Sequence, residues 1–365
     1  MDQHPPGTVH IPPRQLEDFC ARIFEAAGCS AKEARRIASH LVGANLAGHD
    51  SHGVVRVPRY VEWHKAGFVL AGQEAEIVND GGAFVLMDGK YGFGQTVAEQ
   101  AARLGIARAK ANGACIVGLR NAGHIGRAGD YGEMAAAEGL ISIHFVNVAG
   151  SVLVAPFGGA ERRFSTAPIC VAVPLPEGPV VLDFATSLVA EGKVLVASNG
   201  GKKLPAGALI EADGRLSSDP HTLYGDYPPV GPRNPANGTG AIRAFGDHKG
   251  SGLAFMCELL AGCLTGGGTS GPITARGRIT NGMLSIYLSV AHFGGDEGAF
   301  HQAARDYVAW VKSCRPADPA EPVLAPGEPE RARRAERGEK GVPLPREAWQ
   351  SILDTAASLG VPAPG

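Results

Sequence analysis

The chain has 365 residues, 44% of them hydrophobic, and a formal net charge of −2. That length predicts two or three domains with room for a sizeable core, and the near-neutral balance excludes a broad basic surface for nucleic acid. No apolar run approaches the roughly 18 residues of a membrane-spanning helix, and MDQHPPGTVHIPPRQLEDF lacks the regions of a secretory signal, so a cytoplasmic protein without a membrane partner is expected.

PPRQLEDFCARIFEAAG places Leu16, Phe19, Ile23 and Phe24 on one helical face and stops at Gly28. Ser30 and Glu33 have capping-box spacing, which predicts a second helix to about Gly48. A third helix begins within Gly53–Pro58 and ends near Gly67. AFVLMDG then reads as a strand, QTVAEQAARLGIARAKANG as a helix ending at Gly113, ACIVGLR as a strand, DYGEMAAAEG as a helix and LISIHFV as a strand. ICVAVPL and VVLDFA are two further strands. After a Gly/Pro-rich stretch at about 200–245, KGSGLAFMCELLAGCL reads as a helix, MLSIYLSV as a strand and EGAFHQAARDYVAWVKS as a helix. Residues 315–345, rich in proline and charge, read as an extended surface arm, and Pro345–Leu359 as a last helix. Strands and helices mix without strict alternation, so the expected class is α/β of the mixed α+β kind. The seven cysteines are scattered without a C-x-x-C pair and read as reduced thiols.

The motifs that would name a chemistry directly are absent. There is no G-x-G-x-x-G turn, so a nucleotide cofactor is not held in the Rossmann manner. G-x-S-x-G and H-E-x-x-H are missing too. Four polar clusters remain. The first, His49-Asp50-Ser51-His52-Gly53, lies where one helix stops and another starts. Capping by Asp50 or Ser51 explains part of it. Capping does not explain two histidines, nor Arg56 and Tyr60 at i, i+4, where a guanidinium and a phenol share a face and can hold a carboxylate. A metal on His49 and His52 lacks a clear third ligand, and no metal is expected. The second cluster, Asn121 to Tyr131, follows a strand and sets His124 between glycines. The third, Val181 to Ser187, is a strand running into small hydroxyl residues that capping alone would explain. The fourth, Phe245 to Gly252, opens a helix with His248 and Lys249 on a glycine-rich loop, which suits an anionic ligand or a plain surface loop.

HDSHGVVRVPRY, NAGHIGRAG, APFGGAERRFSTAP, VVLDFATS, GDHKGSGLAFMCELLAG and PGEPERARRAERGEKGVPLP resemble, in this order, the malate/L-lactate dehydrogenase family of the non-Rossmann type, nearest its hydroxycarboxylate dehydrogenase B branch. The resemblance covers about Arg14 to Leu359. It implies a homodimer whose helical domain comes from both chain ends (1–75 with 296–365) and whose mixed-sheet domain (76–295) binds NAD(H) or NADP(H). It implies reversible hydride exchange with a small 2-oxo or 2-hydroxy acid. By motif, His124 matches the catalytic histidine, with His52 as second choice. Ser51, Arg56 and Tyr60 match substrate positions. His52, Gly126, Arg127, Ala128, Asp183, Ala185, Thr186, Ser187, His248 and Lys249 match cofactor contacts, and Gly327, Glu328, Pro329 and Glu330 match a late arm over the cofactor.

On this reading Arg56 anchors the carboxylate and His124, as imidazolium, donates the proton. An ordinary histidine, titrating near ~6.5, serves both directions. Glu328 and Glu330 offer carboxylates for a ribose 2′-hydroxyl, which favours NADH over NADPH. Thr166-Ala167-Pro168 departs from a common Thr-Asn-Pro, and His248-Lys249-Gly250 from Pro-Lys-Gly. Both departures bear on substrate identity. Three rival readings stay open: reduction of a cyclic imino acid, a metabolite-binding protein without turnover, and a metal hydrolase using His49 and His52.

Overall fold

The computed structural model describes residues 7–198, 200, 203–228, 233–272, 278 and 280–364, so part of the Gly/Pro-rich stretch lies outside the described residues. The elements follow the chain as β1 (Val9–Ile11), α1 (Pro13–Ala26), α2 (Ala31–Leu46), α3 (Val57–Lys65), β2 (Glu76–Asp80), β3 (Phe84–Asp88), α4 (Gly94–Asn112), β4 (Ala114–Ala122), α5 (Gly129–Ala137) and β5 (Leu140–Ala149). Then come β6 (Val154–Ala155), β7 (Pro168–Val173), β8 (Val180–Ala185), α6 (Glu191–Ser198), β9 (Leu209–Ile210), β10 (Leu216–Ser217), α7 (His221–Tyr224) and β11 (Ala241–Arg243). The last are α8 (His248–Cys257), β12 (Thr280–Ser289), α9 (Val290–Gly294), α10 (Glu297–Lys312), α11 (Glu328–Lys340), β13 (Val342–Leu344) and α12 (Arg346–Ser358). The class is the expected mixed α/β.

The chain forms two compact units, one from Met1–His144, Cys170–Asp183 and Ser285–Gly365, the other from Phe145–Ile169 and Phe184–Leu284. In the first, α1 starts at Pro13, whose fixed φ suits a first helical turn. Its stripe of Leu16, Phe19, Ile23 and Phe24 is fully buried. Each such side chain contributes about 1.5–3 kcal/mol by leaving water. The same core takes Val342, Leu344, Ile352 and Ala356 from the other chain end, and β1 pairs antiparallel with β13. Ser30 caps α2 by accepting from the Glu33 amide at 3.3 Å. Glu33 does not complete the expected box. Its carboxylate accepts from the Gly72 amide at 2.8 Å instead, tying down the segment after α3.

Seven strands order as β2-β3-β4-β12-β5-β7-β8. β2 and β3 are antiparallel, while β3 and β4 are parallel and joined through α4. The second unit holds a four-stranded sheet, β10-β9-β11-β6, over a core that includes Val154, Leu209, Leu223, Tyr224 and Ile242.

Two expectations change. The arm at 315–345 is not extended throughout, because α11 occupies Glu328–Lys340. Its many Arg and Glu are good helix formers, its first turn carries Glu328, Pro329 and Glu330, and Gly341 with φ +90° ends it. The single helix read over 249–264 is α8 followed by a π-helical turn at Glu258–Cys263. Among the described residues no helix is long and apolar enough to cross a membrane.

Candidate active site

β4 delivers the chain to a glycine-lined loop that carries His124 into α5. The first turn of α4 lies against that loop. A Cβ at Gly94 would sit 2.4 Å from the carbonyl oxygens of Gly123 and His124, so only glycine permits the approach. The contact places Gln95, which is fully buried, beside the histidine. Gln95 Nε2 donates to the His124 carbonyl oxygen and to Tyr60 Oη, both at 3.0 Å. Tyr60 Oη lies 2.5 Å from His124 Nδ1. The rings of His52 and His124 stack with centroids 5.5 Å apart.

Burial, then the charge of Arg56, then His52 and His40, hold the His124 pKa well below the ordinary histidine value. His52 is lowered to about 3, again by burial first and Arg56 second. The expectation of an imidazolium at neutral pH is therefore corrected. A poorly solvated ring beside a guanidinium stays neutral.

The segment before α3 is fixed by Asn45 rather than by a self-cap. Asn45 Oδ1 accepts from the Val54 amide at 2.8 Å, and Nδ2 donates to Asp50 at 2.7 Å. A Cβ on Gly53 would fall 2.1 Å from Asn45 Oδ1. Asp50 also takes two bonds from Arg337, at 2.7 and 3.1 Å, so neither Asp50 nor Ser51 caps the next helix. Ser51 Oγ lies 3.1 Å from His52 Nδ1. The Ser51 carbonyl accepts from Arg56 Nε at 2.6 Å, which leaves both Nη groups of Arg56 without a hydrogen bond among the described residues. Arg56 thus presents its fork, whereas Tyr60, expected beside it at a carboxylate, is buried and turned to His124.

After His124 the chain turns at Gly126, φ +79°, where a Cβ would meet His40 Nε2 at 2.2 Å. His40 Nε2 accepts from the Arg127 amide and its Nδ1 faces Asp130 Oδ2, each at 2.9 Å. Arg127 is 2% exposed. Its Nη2 donates to Glu133 at 2.9 Å, its Nε lies 3.5 Å from Asp183, and its Nη1 has no hydrogen-bond partner among the described residues. Ala128 precedes the first turn of α5, whose Gly129 amide donates to Asp183 Oδ2 at 2.8 Å. Gly126, Arg127, Ala128 and Asp183 thus come together.

In the second unit Thr186 is consumed internally, its amide and hydroxyl both donating to the Ala167 carbonyl at 3.1 and 2.9 Å. Ser187 Oγ is buried without a partner among the described residues. The Phe245 amide donates to the Thr186 carbonyl at 3.0 Å, which joins the Ala185–Ser187 segment to the loop opening α8, where His248 and Lys249 are exposed. In the arm, Gly327 at φ +91° starts α11. Glu328 pairs with Lys312 and accepts from the Ala325 amide, and Glu330 lies 3.4 Å from His49. Both carboxylates of the arm, expected to face a ribose 2′-hydroxyl, have a protein partner. Pro329 is exposed. Among the described residues no group of three or more His, Cys, Asp or Glu could hold a metal.

In the first unit Arg127 Nη1 is a buried cationic donor without a partner among the described residues, which fits a phosphate of a dinucleotide; in the second Ser187 Oγ is likewise unpartnered, and a buried donor left so costs about 1–3 kcal/mol. Reasoning from sequence missed Gln95, His40 and Arg337. Their partners lie 29 to 292 residues away, and no local spacing signals such contacts.

The family model for malate/L-lactate dehydrogenase matches residues 11–353. The chain is 40% identical over 351 residues to hydroxycarboxylate dehydrogenase B of Escherichia coli O157:H7, covering 95% of this chain and 93% of that protein. It superposes on the malate dehydrogenase of Pyrococcus horikoshii OT3 with a TM-score of 0.86 at 30% identity, covering 100% and 99% of the two chains. It is also 34% identical over 260 residues to a Δ1-pyrroline-2-carboxylate/Δ1-piperideine-2-carboxylate reductase of Pseudomonas putida, with 71% and 72% covered.

Proposed function

The chain belongs to the malate/L-lactate dehydrogenase family and is an oxidoreductase of small 2-hydroxy acids, and from that premise we propose that Arg56 and His124 hold and protonate the substrate. The observation that carries this reading is an unfilled Arg56 fork in the same unit as His124, whose Nδ1 is held by Tyr60. Arg56 binds the carboxylate through its two Nη groups, a bidentate contact that an ammonium cannot copy. His124 directs Nε2–H at the carbonyl oxygen and supplies its proton as negative charge develops there. In the opposite direction the same nitrogen receives the hydroxyl proton. Ser51 and His52 line the substrate, and His52 is the second choice as donor.

A nicotinamide, when bound, exchanges a hydride with the substrate carbon. Arg127 is the candidate of the first unit for holding its dinucleotide, and Ser187, His248 and Lys249 are those of the second. NADH is the proposed form. A 2′-phosphate needs spare positive charge, and two arginines of the arm are ion-paired, Arg334 with Glu133 and Arg337 with Asp50. These two ion pairs, rather than Glu328 or Glu330, favour NADH. The protein is proposed to be a cytoplasmic homodimer. Its α10 has no buried residue and carries a stacked Tyr307–Trp310 pair that a second copy would cover; sedimentation reads this directly.

The reading is tested with a panel of 2-oxo acids and cyclic imino acids, each with NADH and NADPH. Oxidation of NADH by 2-oxo acids, and faster than by any imine, is the expected result. Turnover of cyclic imines alone would transfer the protein to the imino-acid reductases, the second reading, which rests on the Pseudomonas putida relative.

A further inference from the structure

The neutral state of His124 raises a question of proton supply. A neutral imidazole that gives up its Nε2 proton must gain one at Nδ1 or become an imidazolate. The group at Nδ1 is the Tyr60 hydroxyl. We infer that Gln95, Tyr60 and His124 form a polarised proton relay, in which Tyr60 refills Nδ1 as Nε2 protonates the substrate oxygen and Gln95 sets the direction. The inference rests on His124 being the acid of the proposed reaction.

The direction follows from one fixed point. The His124 backbone carbonyl can only accept, so the Gln95 amide must present Nε2–H to it at 3.0 Å. That same nitrogen is 3.0 Å from Tyr60 Oη, which therefore accepts. The phenol's single proton is left for the remaining neighbour, His124 Nδ1, at 2.5 Å. An imidazole that accepts at Nδ1 carries its own proton on Nε2. Every orientation is thus set by a carbonyl at the far end of the chain of bonds.

The transfer balances. The substrate oxygen gains the Nε2 proton, Nδ1 gains the phenolic proton, and Tyr60 is left as a phenolate; after product leaves, water protonates Nε2 and the Nδ1 proton returns to the phenolate, which restores the starting state. Burial raises the Tyr60 pKa to about 12, and Arg56 and the Gln95 hydrogen bond act against that rise. An alkoxide is a stronger base than a phenolate, so the transfer runs downhill in the reducing direction. The Arg36 guanidinium holds the Gln95 carbonyl at 3.1 Å and Asp130 at 2.9 Å, which anchors the start of α4. Tyr60 is a catalytic residue in this scheme, and Gln95 a positioning residue.

Two measurements test it. In the wild-type protein, 15N NMR of labelled histidine, assigned with His124→Gln, should show His124 protonated at Nε2 and unprotonated at Nδ1 near pH 7.5. An Nδ1–H tautomer would overturn the relay without any variant having to fold. The second is single-turnover reduction of a 2-oxo acid in H2O/D2O mixtures. Two moving protons give a curved dependence on deuterium fraction in the wild type. Tyr60→Phe should make it linear and slow the step by roughly 10²-fold or more, the scale of a lost proton donor, with the KM for the 2-oxo acid nearly unchanged. Gln95→Glu, a near-isostere that accepts rather than donates, should turn the phenolic proton away from Nδ1 and raise the pH at which His124 protonates by about one unit or more. A linear wild-type inventory, or Tyr60→Phe at full rate while His124→Gln is dead, sinks the relay and leaves His124 as the acid. A fully active His124→Gln sinks the His124 assignment itself.

Discussion

At the scale of single residues, the outcome turns on Arg56. Its charge lies close enough to depress both His124 and His52, and its Nη fork is open. The sequence made Arg56 and His124 legible, since both sit in polar clusters flanked by glycine or proline. It did not make their protonation legible, because that depends on burial and on neighbours far along the chain. Tyr60 was readable as functional from its i+4 spacing to Arg56, but its partner was not. Two results follow. His124 is charged only below its lowered pKa and neutral above it, so kcat/KM for reduction should show no limb near pH 6.5, and initial rates from pH 5.5 to 8 check this. A limb at 6.5 would mean that neither burial nor Arg56 acts on the ring. Arg56→Lys should raise the KM for a 2-oxo acid by roughly 10- to 100-fold, the loss of about 1.5–3 kcal/mol expected for a hydrogen bond to a charged group, with NADH affinity unchanged by fluorescence titration.

At the scale of elements, helices with a clear apolar period were legible to within a turn, α1 and α2 above all. What failed was the arm, because charge and proline mark α11 no differently from an extended segment until Gly341 closes it and β13 pairs with β1. The short strands β9, β10 and β11 carry too few residues to show alternation. The most consequential element is the start of α4. Its glycine lets a helix end touch the carbonyls of Gly123 and His124, a contact that no local spacing in the sequence marks. Gly94→Ala should cost about 1–3 kcal/mol through forced backbone movement and lower kcat by displacing Gln95. Urea unfolding and steady-state assay check the two effects. A variant of wild-type stability and rate would show that the loop tolerates the shift.

At the scale of the molecule, buried neutral histidines make stability depend on pH. His144 is fully buried between Ser142 and Ser285, with bonds of 3.0 and 2.8 Å, and burial lowers its pKa to about 3. Unfolded histidine titrates near ~6.5. Between these values the unfolded chain binds the extra proton, so stability is full above about pH 6.5 and falls as pH drops toward about 3. The slope from one such residue is about 1.4 kcal/mol per pH unit. Urea midpoints measured from pH 8 to 4.5 should be flat, then fall, and His144→Asn should make the fall shallower. An equally steep fall in that variant would place the acid sensitivity elsewhere.

The site as a whole was half legible. The sequence marked residues proposed to face a ligand, such as Arg56, His124 and Lys249, and missed those that hold the loops around Arg56 and His124, such as Gln95, His40 and Arg337, because holding contacts are long-range. The assignment of His124 bears most of the functional account, and one comparison tests it most directly: turnover of a 2-oxo acid with NADH by wild type and His124→Gln, with NADH binding followed in the same samples. The account predicts a loss of roughly 10²–10⁴ in kcat with NADH still bound. Turnover near the wild-type rate in His124→Gln would contradict it.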